Sequence, residues 1–248
     1  MKMKNIWLFA AAASFVAVAV SGCGTKAAGN LAAGQTPETY LLRIKAEPGL
    51  TLNYDFEVEL GFSPPQQQGA PAAEPVKVKL TGIQEQKFVK VDGPDHTFES
   101  RFKDIRTEAQ GIGQMLAEGL KRSLAQTQTI ESNELSVIRN ANEIFSVTPQ
   151  FPSKAVAVGE TWTSSGPGSD AAPPGQMTGK LAGFETVDGR KLLRIEYTGT
   201  VANGVTLVEP MVVMFDHGAG QIVSMRMSGT GSQMGADMSL TMNLTLRR

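Results

Sequence analysis

The sequence predicts a mainly β protein: an antiparallel curved sheet, half-barrel or sandwich-like, with one packing α-helix. Three observations carry that expectation. Leu50 to Leu60 alternates without a break, with Leu50, Leu52, Tyr54, Phe56, Val58 and Leu60 on one side and Thr51, Asn53, Asp55, Glu57 and Glu59 on the other. That period belongs to a strand with one buried and one solvated face. The chain closes in the same way, where Met238, Leu240, Met242, Leu244 and Leu246 interleave with Ser239, Thr241, Asn243, Thr245 and Arg247. Between them one stretch, about Thr107 to Ala125, carries a helical period, with Ile112, Met115, Leu116, Leu120 and Leu124 on one face.

The first element is not part of the fold. Lys2 and Lys4 precede Ile6 to Val20, an uncharged apolar run ending in small residues. A bilayer span takes about 20 apolar residues. The shorter run, with its positive start, reads as a secretory signal. It ends in Val20-Ser21-Gly22-Cys23, which resembles the lipobox of bacterial lipoproteins. The resemblance implies cleavage before Cys23, a thioether-linked diacylglycerol on its sulfur and usually a third acyl chain on the new amino group. Two or more chains hold firmly, at about 0.8 kcal/mol per buried CH₂. Cys23 is the only cysteine, so an internal disulfide is excluded. The expected organisation is a signal peptide over 1–22, a lipidated flexible tether over 23–37 and a single β-rich domain over 38–248. Gly24 stands where an aspartate would resemble an inner-membrane retention signal, which favours the outer membrane, facing the periplasm.

After the tether, the strand at 50–60 is followed by the insert SPPQQQGAPAAEP (63–75), a Pro- and Gln-rich loop. Val76, Val78 and Leu80 then alternate with Lys77, Lys79 and Thr81, and His96 to Phe102 directs Phe98 and Phe102 inward. The helix is weakened by Gly111, Gly113 and Gly119, each costing up to about 1 kcal/mol against alanine, so it needs a surface to pack on. Glu118 and Arg122 form its exposed (i, i+4) pair. A second Gly/Pro loop, SSGPGSDAAPPG (164–175), is expected to separate the two halves. Asp188-Gly189, between LAGFETV and KLLRIEYTG, marks a tight hairpin needing positive φ. Val205 to Phe215, DHGAG and Gln221 to Met227 read as a second hairpin, with Pro210 placing an edge or bulge in its first strand. Polar faces carry Lys, Glu and Asp and inward faces are apolar, the reverse of an outer-membrane barrel.

Composition and motifs exclude several functions. The formal charge is −1, or about −3 without Lys2 and Lys4, with no basic stripe for nucleic acid. His96 and His217 are the only histidines, and they lack the cysteine or acidic spacing of a zinc site. Asp216 and His217 are adjacent in a turn, unable to hold each other as a hydrolase triad requires, and no G-x-S-x-G accompanies them. Phosphate-loop and dinucleotide fingerprints are absent. Glu57 and Glu59 read as a solvated strand face.

The most distinctive internal stretch is FPSKAVAVGETW (151–162). Gly159 is expected to break the backbone between two extended pieces, and Trp162 to anchor a core or cavity. With Pro48, Gly49 and Tyr54, and with Phe151, Pro152, Val156, Val158, Gly159 and Trp162, the chain resembles an uncharacterised family of secreted β-rich bacterial proteins with a VxVGxxW motif. That resemblance implies a fold and no activity. The sheet is also similar in expected form to the half-barrels of lipoprotein-carrier proteins.

Methionines crowd the C-terminal half: Met177, Met211, Met214, Met225, Met227, Met234, Met238 and Met242. They fill a core, or they line an adaptable apolar cavity. Met225 and Met227 share a strand face, as a soft-metal site would require, but no histidine neighbours them in sequence. The expected function is non-catalytic binding of an apolar ligand, a lipid or small molecule, or of an envelope protein, with no enzyme activity, cofactor or metal. Trp162, Met225, Met227, Met238 and Met242 are the candidate lining residues. A structural protein that docks a partner and an unrecognised enzyme are the alternatives.

Cys23→Ser is expected to move the chain from the membrane fraction to the soluble fraction of the envelope. A variant that still pellets with membranes would remove the lipobox reading.

Overall fold

The computed structural model describes residues 37–63, 75–139, 148–165, 175–201, 205–233 and 236–247. Cys23, Met234 and most of both Gly/Pro-rich loops lie outside these. Residues 37–248 form one compact unit. Its elements are β1 (Thr39–Tyr40), β2 (Thr51–Ser63), β3 (Val76–Asp92), β4 (Asp95–Ala109), α1 (Ile112–Leu124), β5 (Gln128–Asn133), β6 (Val156–Ala157) and β7 (Thr161–Ser165). They continue with β8 (Gln176–Val187), β9 (Arg190–Thr200), β10 (Thr206–Leu207), β11 (Met211–Asp216), β12 (Gln221–Gln233) and β13 (Ala236–Leu246).

Eleven of the strands form a single antiparallel sheet in the order β5-β4-β3-β2-β13-β12-β10-β9-β8-β7, with β11 also lying between β12 and β9. The architecture is thus one curved sheet rather than two packed ones. Its two meanders join along β2 and β13, paired from Ser63↔Asp237 to Tyr54↔Leu246. The 166–174 loop does not separate the halves as expected; it connects β7 and β8, which are neighbours. Pro210 lies between β10 and β11, which share one slot in the sheet. Proline supplies no N–H to a ladder, so the strand is broken there.

Alternation places Leu52, Tyr54, Phe56, Val58 and Leu60 of β2 in the core. The inward positions of β3 are Val78, Leu80, Gly82, Gln84, Gln86 and Phe88. Those of β4 are His96, Phe98, Ser100 and Phe102, and then the parity changes at a bulge. Asp104 takes φ +51° there, after which Ile105 and Ala109 face the core. An extra residue in one strand bends the sheet and tightens its twist, and Asp tolerates the left-handed conformation. The Asp188-Gly189 turn has φ of 47° and 75°, as a type I′ hairpin demands.

The helix is shorter and differently turned than its pattern suggests. Thr107, Glu108 and Ala109 complete the β4 ladder against Leu80, Lys79 and Val78, and Gly111 at φ 56° turns the chain into α1. Its buried residues are Gly113, Ala117 and Leu124, with Leu116 and Leu120 packed beside them. Ile112 and Met115 are exposed, each at 73%. Gly113 explains the rotation. A Cβ there would lie 3.1 Å from Val76 and 3.2 Å from the Lys77 carbonyl, so the glycine lets the helix backbone settle onto β3. Arg122 donates to the Glu118 carbonyl at 3.2 Å rather than to its carboxylate.

Two segments outside the large sheet cross its core face. The first, Leu41 to Ala46, is a strap. Its Leu42 is fully buried. Ile44 N–H donates to the Glu134 carbonyl at 2.8 Å and Lys45 N–H to the Gly220 carbonyl at 3.0 Å. Arg43 clamps it further, donating to Glu134 Oε1 at 2.9 Å and to the Pro152 and Ser153 carbonyls at 2.8 and 2.7 Å. The second is the 148–157 crossing. Trp162 Nε1 and the Tyr197 hydroxyl both donate to the Gln150 carbonyl, at 2.9 and 3.1 Å. Phe151 packs edge-on against Phe215. β1 and β6 pair where strap and crossing meet.

Gly220 tests the strap. It sits at φ 64°, and a Cβ would fall 2.7 Å from Lys45 Cβ and 2.8 Å from Lys45 N. Gly220→Ala is expected to destabilise the fold by about 1–3 kcal/mol, lowering Tm by roughly 2–4 °C for each kcal/mol. An unchanged melting curve would show that the strap contributes nothing at this contact.

Candidate functional site: a cavity between two cores

The core face does not close into one cluster. The larger cluster includes Phe56, Val58, Phe102, Leu124, Met225 and Met242. A separate one contains Leu52, Tyr54, Phe88, Phe98, Ile130 and Ile138. Ile44 and Leu244 touch both. A cavity of about 110 Å³ lies between the two, and side chains from both clusters line it. One water needs only about 10–15 Å³, so the space is several waters large. β2 to β5 supply one wall, β12 and β13 the other, and the strap roofs it through Ile44 and Lys45. Among the described lining residues Lys45 alone is exposed.

The sequence-predicted residues separate here. Met225 and Met242 line the cavity. Met227 is buried in the larger cluster, and Met238 packs at its margin in a shallow groove with Gly61 and Lys77. Trp162 does not reach the cavity. It stands edge-on to Tyr197, 5.7 Å between centroids, above Gly179, whose missing Cβ makes room for the indole. Its role is to pin the crossing. Met177 and Met211 are core residues. The residues that sequence reasoning missed are Gln84, Gln86, Ser132 and Ser136, all cavity-lining. Parity could have found the two glutamines, since they fall in phase with Val78, Leu80 and Phe88.

The polar lining is mostly uncharged. Tyr54 donates to the Ile222 carbonyl at 3.2 Å, and burial raises its phenol pKa well above the usual tyrosine range. His96 is 6% exposed, edge-on to Phe88 and tilted against Phe98. Desolvation lowers its pKa, opposed by neighbouring Asp95. Lys45 Nζ is turned to the Gly218 carbonyl at 2.7 Å. On the opposite face of the sheet Lys79 bridges Glu57 and Glu59 at 2.8 and 3.2 Å, which occupies that acidic pair. Among the described residues no group of three or more His, Cys, Asp or Glu is placed to hold a metal ion.

No protein-family model matches the chain, and no curated protein does. Among solved structures, DynF from the dynemicin biosynthesis pathway of Micromonospora chersina aligns over 90% of this chain and 90% of its own, at 11% identity and a TM-score of 0.23. A DUF1329 family protein from Desulfovibrio piger aligns over 81% of this chain and 85% of its own, also at 11% identity and a TM-score of 0.23. At that score neither carries a functional argument.

Burial of His96 has a pH consequence. The unfolded chain takes up a proton near pH 6.5 before the folded chain does, so stability is intact above that pH and declines as pH falls below it, until the folded ring also protonates. Melting temperatures measured from about pH 7.5 down to about pH 5 are expected to fall less steeply for His96→Phe than for wild type. Parallel curves would show that the imidazole is not held neutral.

Proposed function

We propose that the chain is a lipid-anchored envelope protein whose folded unit binds one slender apolar ligand without catalysis. The cavity between the two core clusters carries this reading. Its walls are buried Leu52, Phe56, Phe88, Phe98, Ile130 and Met242, which would gain from a hydrocarbon occupant at about 0.8 kcal/mol per buried CH₂. Native interiors are close-packed, and a cavity lowers stability in proportion to its volume. A ligand that fills this one recovers the lost contacts. Size sets the class: the space suits a segment of one hydrocarbon chain or a small ring, and a diacyl lipid would need the strap to lift. Met225 and Met242 supply side chains that adapt to varied shapes.

The test is native mass spectrometry of the chain from Gly24 onward, exported to a bacterial envelope and purified without detergent. A single co-purifying species that extracts into organic solvent is expected. Ile130→Trp, which grows into the cavity, is expected to lose it while staying folded, at a cost of about 1–3 kcal/mol. A clean apo mass for the wild-type protein would overturn ligand binding and leave partner docking as the role.

A further inference from the structure

The cavity lies where a polar row interrupts the core face, and that row specifies the ligand more closely. On β3 the inward series runs Val78, Leu80, Gly82, Gln84, Gln86, Phe88. Gln84 is flanked by Tyr54 on β2 and Phe102 on β4, and Gln86 by Leu52 and Ser100. Ser100 is 1% exposed and accepts a hydrogen bond from Gln84 Nε2 at 3.2 Å. The row Gln84, Gln86, Ser100 therefore crosses the sheet between Phe102 of one cluster and Phe98 of the other.

Each glutamine amide offers two N–H donors and an oxygen with two lone pairs. The bond to Ser100 uses one of the four donors, and both half-buried glutamines line the cavity. An occupant that displaces water from these amides without replacing its hydrogen bonds loses affinity, so one that supplies partners is favoured over a pure hydrocarbon. The occupant should also be uncharged. Of the ionisable lining groups, Tyr54 and His96 are buried and Lys45 is turned outward to Gly218. A carboxylate at the glutamines would be a desolvated charge with no facing cation among the described residues, which is costly. Apolar walls extend to both sides of the row, through Phe56 and Leu124 one way and Phe88 and Ile130 the other.

Resting on the ligand-binding reading above, we propose that the cavity takes an uncharged amphiphile, a hydrocarbon chain interrupted by a neutral hydrogen-bonding group such as an ester. The group seats against Gln84 and Gln86, with an apolar arm in each cluster. Selectivity then comes from the amides, and affinity from the walls.

Two isomers sized to the cavity test this: ethyl propanoate, a neutral internal ester, and pentanoate, its isomeric acid as the anion at about pH 8. Each is titrated calorimetrically against the chain from Gly24 onward, with hexane as the alkane control. The ester is expected to bind with a Kd about tenfold lower than either pentanoate or hexane, the scale of one net hydrogen bond. Gln84→Leu/Gln86→Leu, which keeps the volume, is expected to remove the ester's advantage over hexane while hexane binding is kept. The wild-type comparison stands even if the double variant fails to fold. Pentanoate binding as tightly as the ester would overturn the neutral specification. Equal binding of ester and alkane by wild type would overturn the role of the amides and leave cavity binding intact. Binding of none of the three would overturn both readings together.

Discussion

One constraint organises this protein: a large sheet has an apolar face, and among the described residues the other sheet is only the two-stranded β1–β6 pair, too small to cover it. In a sandwich, two sheets bury each other. Here the cover is assembled from a helix, a strap and a crossing segment, none of which could fold alone. The strap and the crossing are fastened by hydrogen bonds made at or to their backbone, and the helix by close packing. The Gln150 carbonyl takes bonds from both Trp162 and Tyr197, the strap is anchored at Glu134 and Gly220, and Gly113 brings α1 down onto Val76. A buried backbone group must find a partner, so these bonds decide where the strap and the crossing can lie.

A cover made of pieces leaves a seam, and the cavity occupies it. Helix and crossing contribute Leu124 and Phe151 to the larger cluster, and the cavity lies where β3 presents two glutamines in place of aliphatic side chains. The apolar walls and the polar row belong to the same geometry, because the row keeps the two clusters from merging. The ligand binding proposed above rests on that juxtaposition.

Much of the sheet was legible because period-two alternation reports directly which side chains are inside. β2 and β13, the central pair, are faultless in sequence. The Asp188-Gly189 turn and the Pro210 break follow from backbone chemistry local to those residues. The strap and crossing were not legible, because their backbone bonds reach non-sequential partners and impose no period: Ile44 reaches Glu134 and Phe151 reaches Leu135. The buried face of α1 escapes a hydrophobicity pattern, which counts Ile112 and Met115 as apolar but gives Gly113 no weight, although the glycine sets the approach. Methionine richness points to the cavity through Met225 and Met242 and no further. The better signal was the glutamines, polar residues in the inward phase of a strand.

The strap also fixes how the folded unit bears load. A pull at its N-terminal end enters through the two-residue β1–β6 ladder and the Arg43 clamp, not through the long β2–β13 seam. Few bonds lie in that path, and they are sequentially arranged, so they would break in succession before any strand of the large sheet is disturbed. The next residues to lift would be Ile44 and Lys45, which roof the cavity. Tension on the N-terminus and access to the interior are thereby mechanically connected, with the sheet itself acting as the fixed frame.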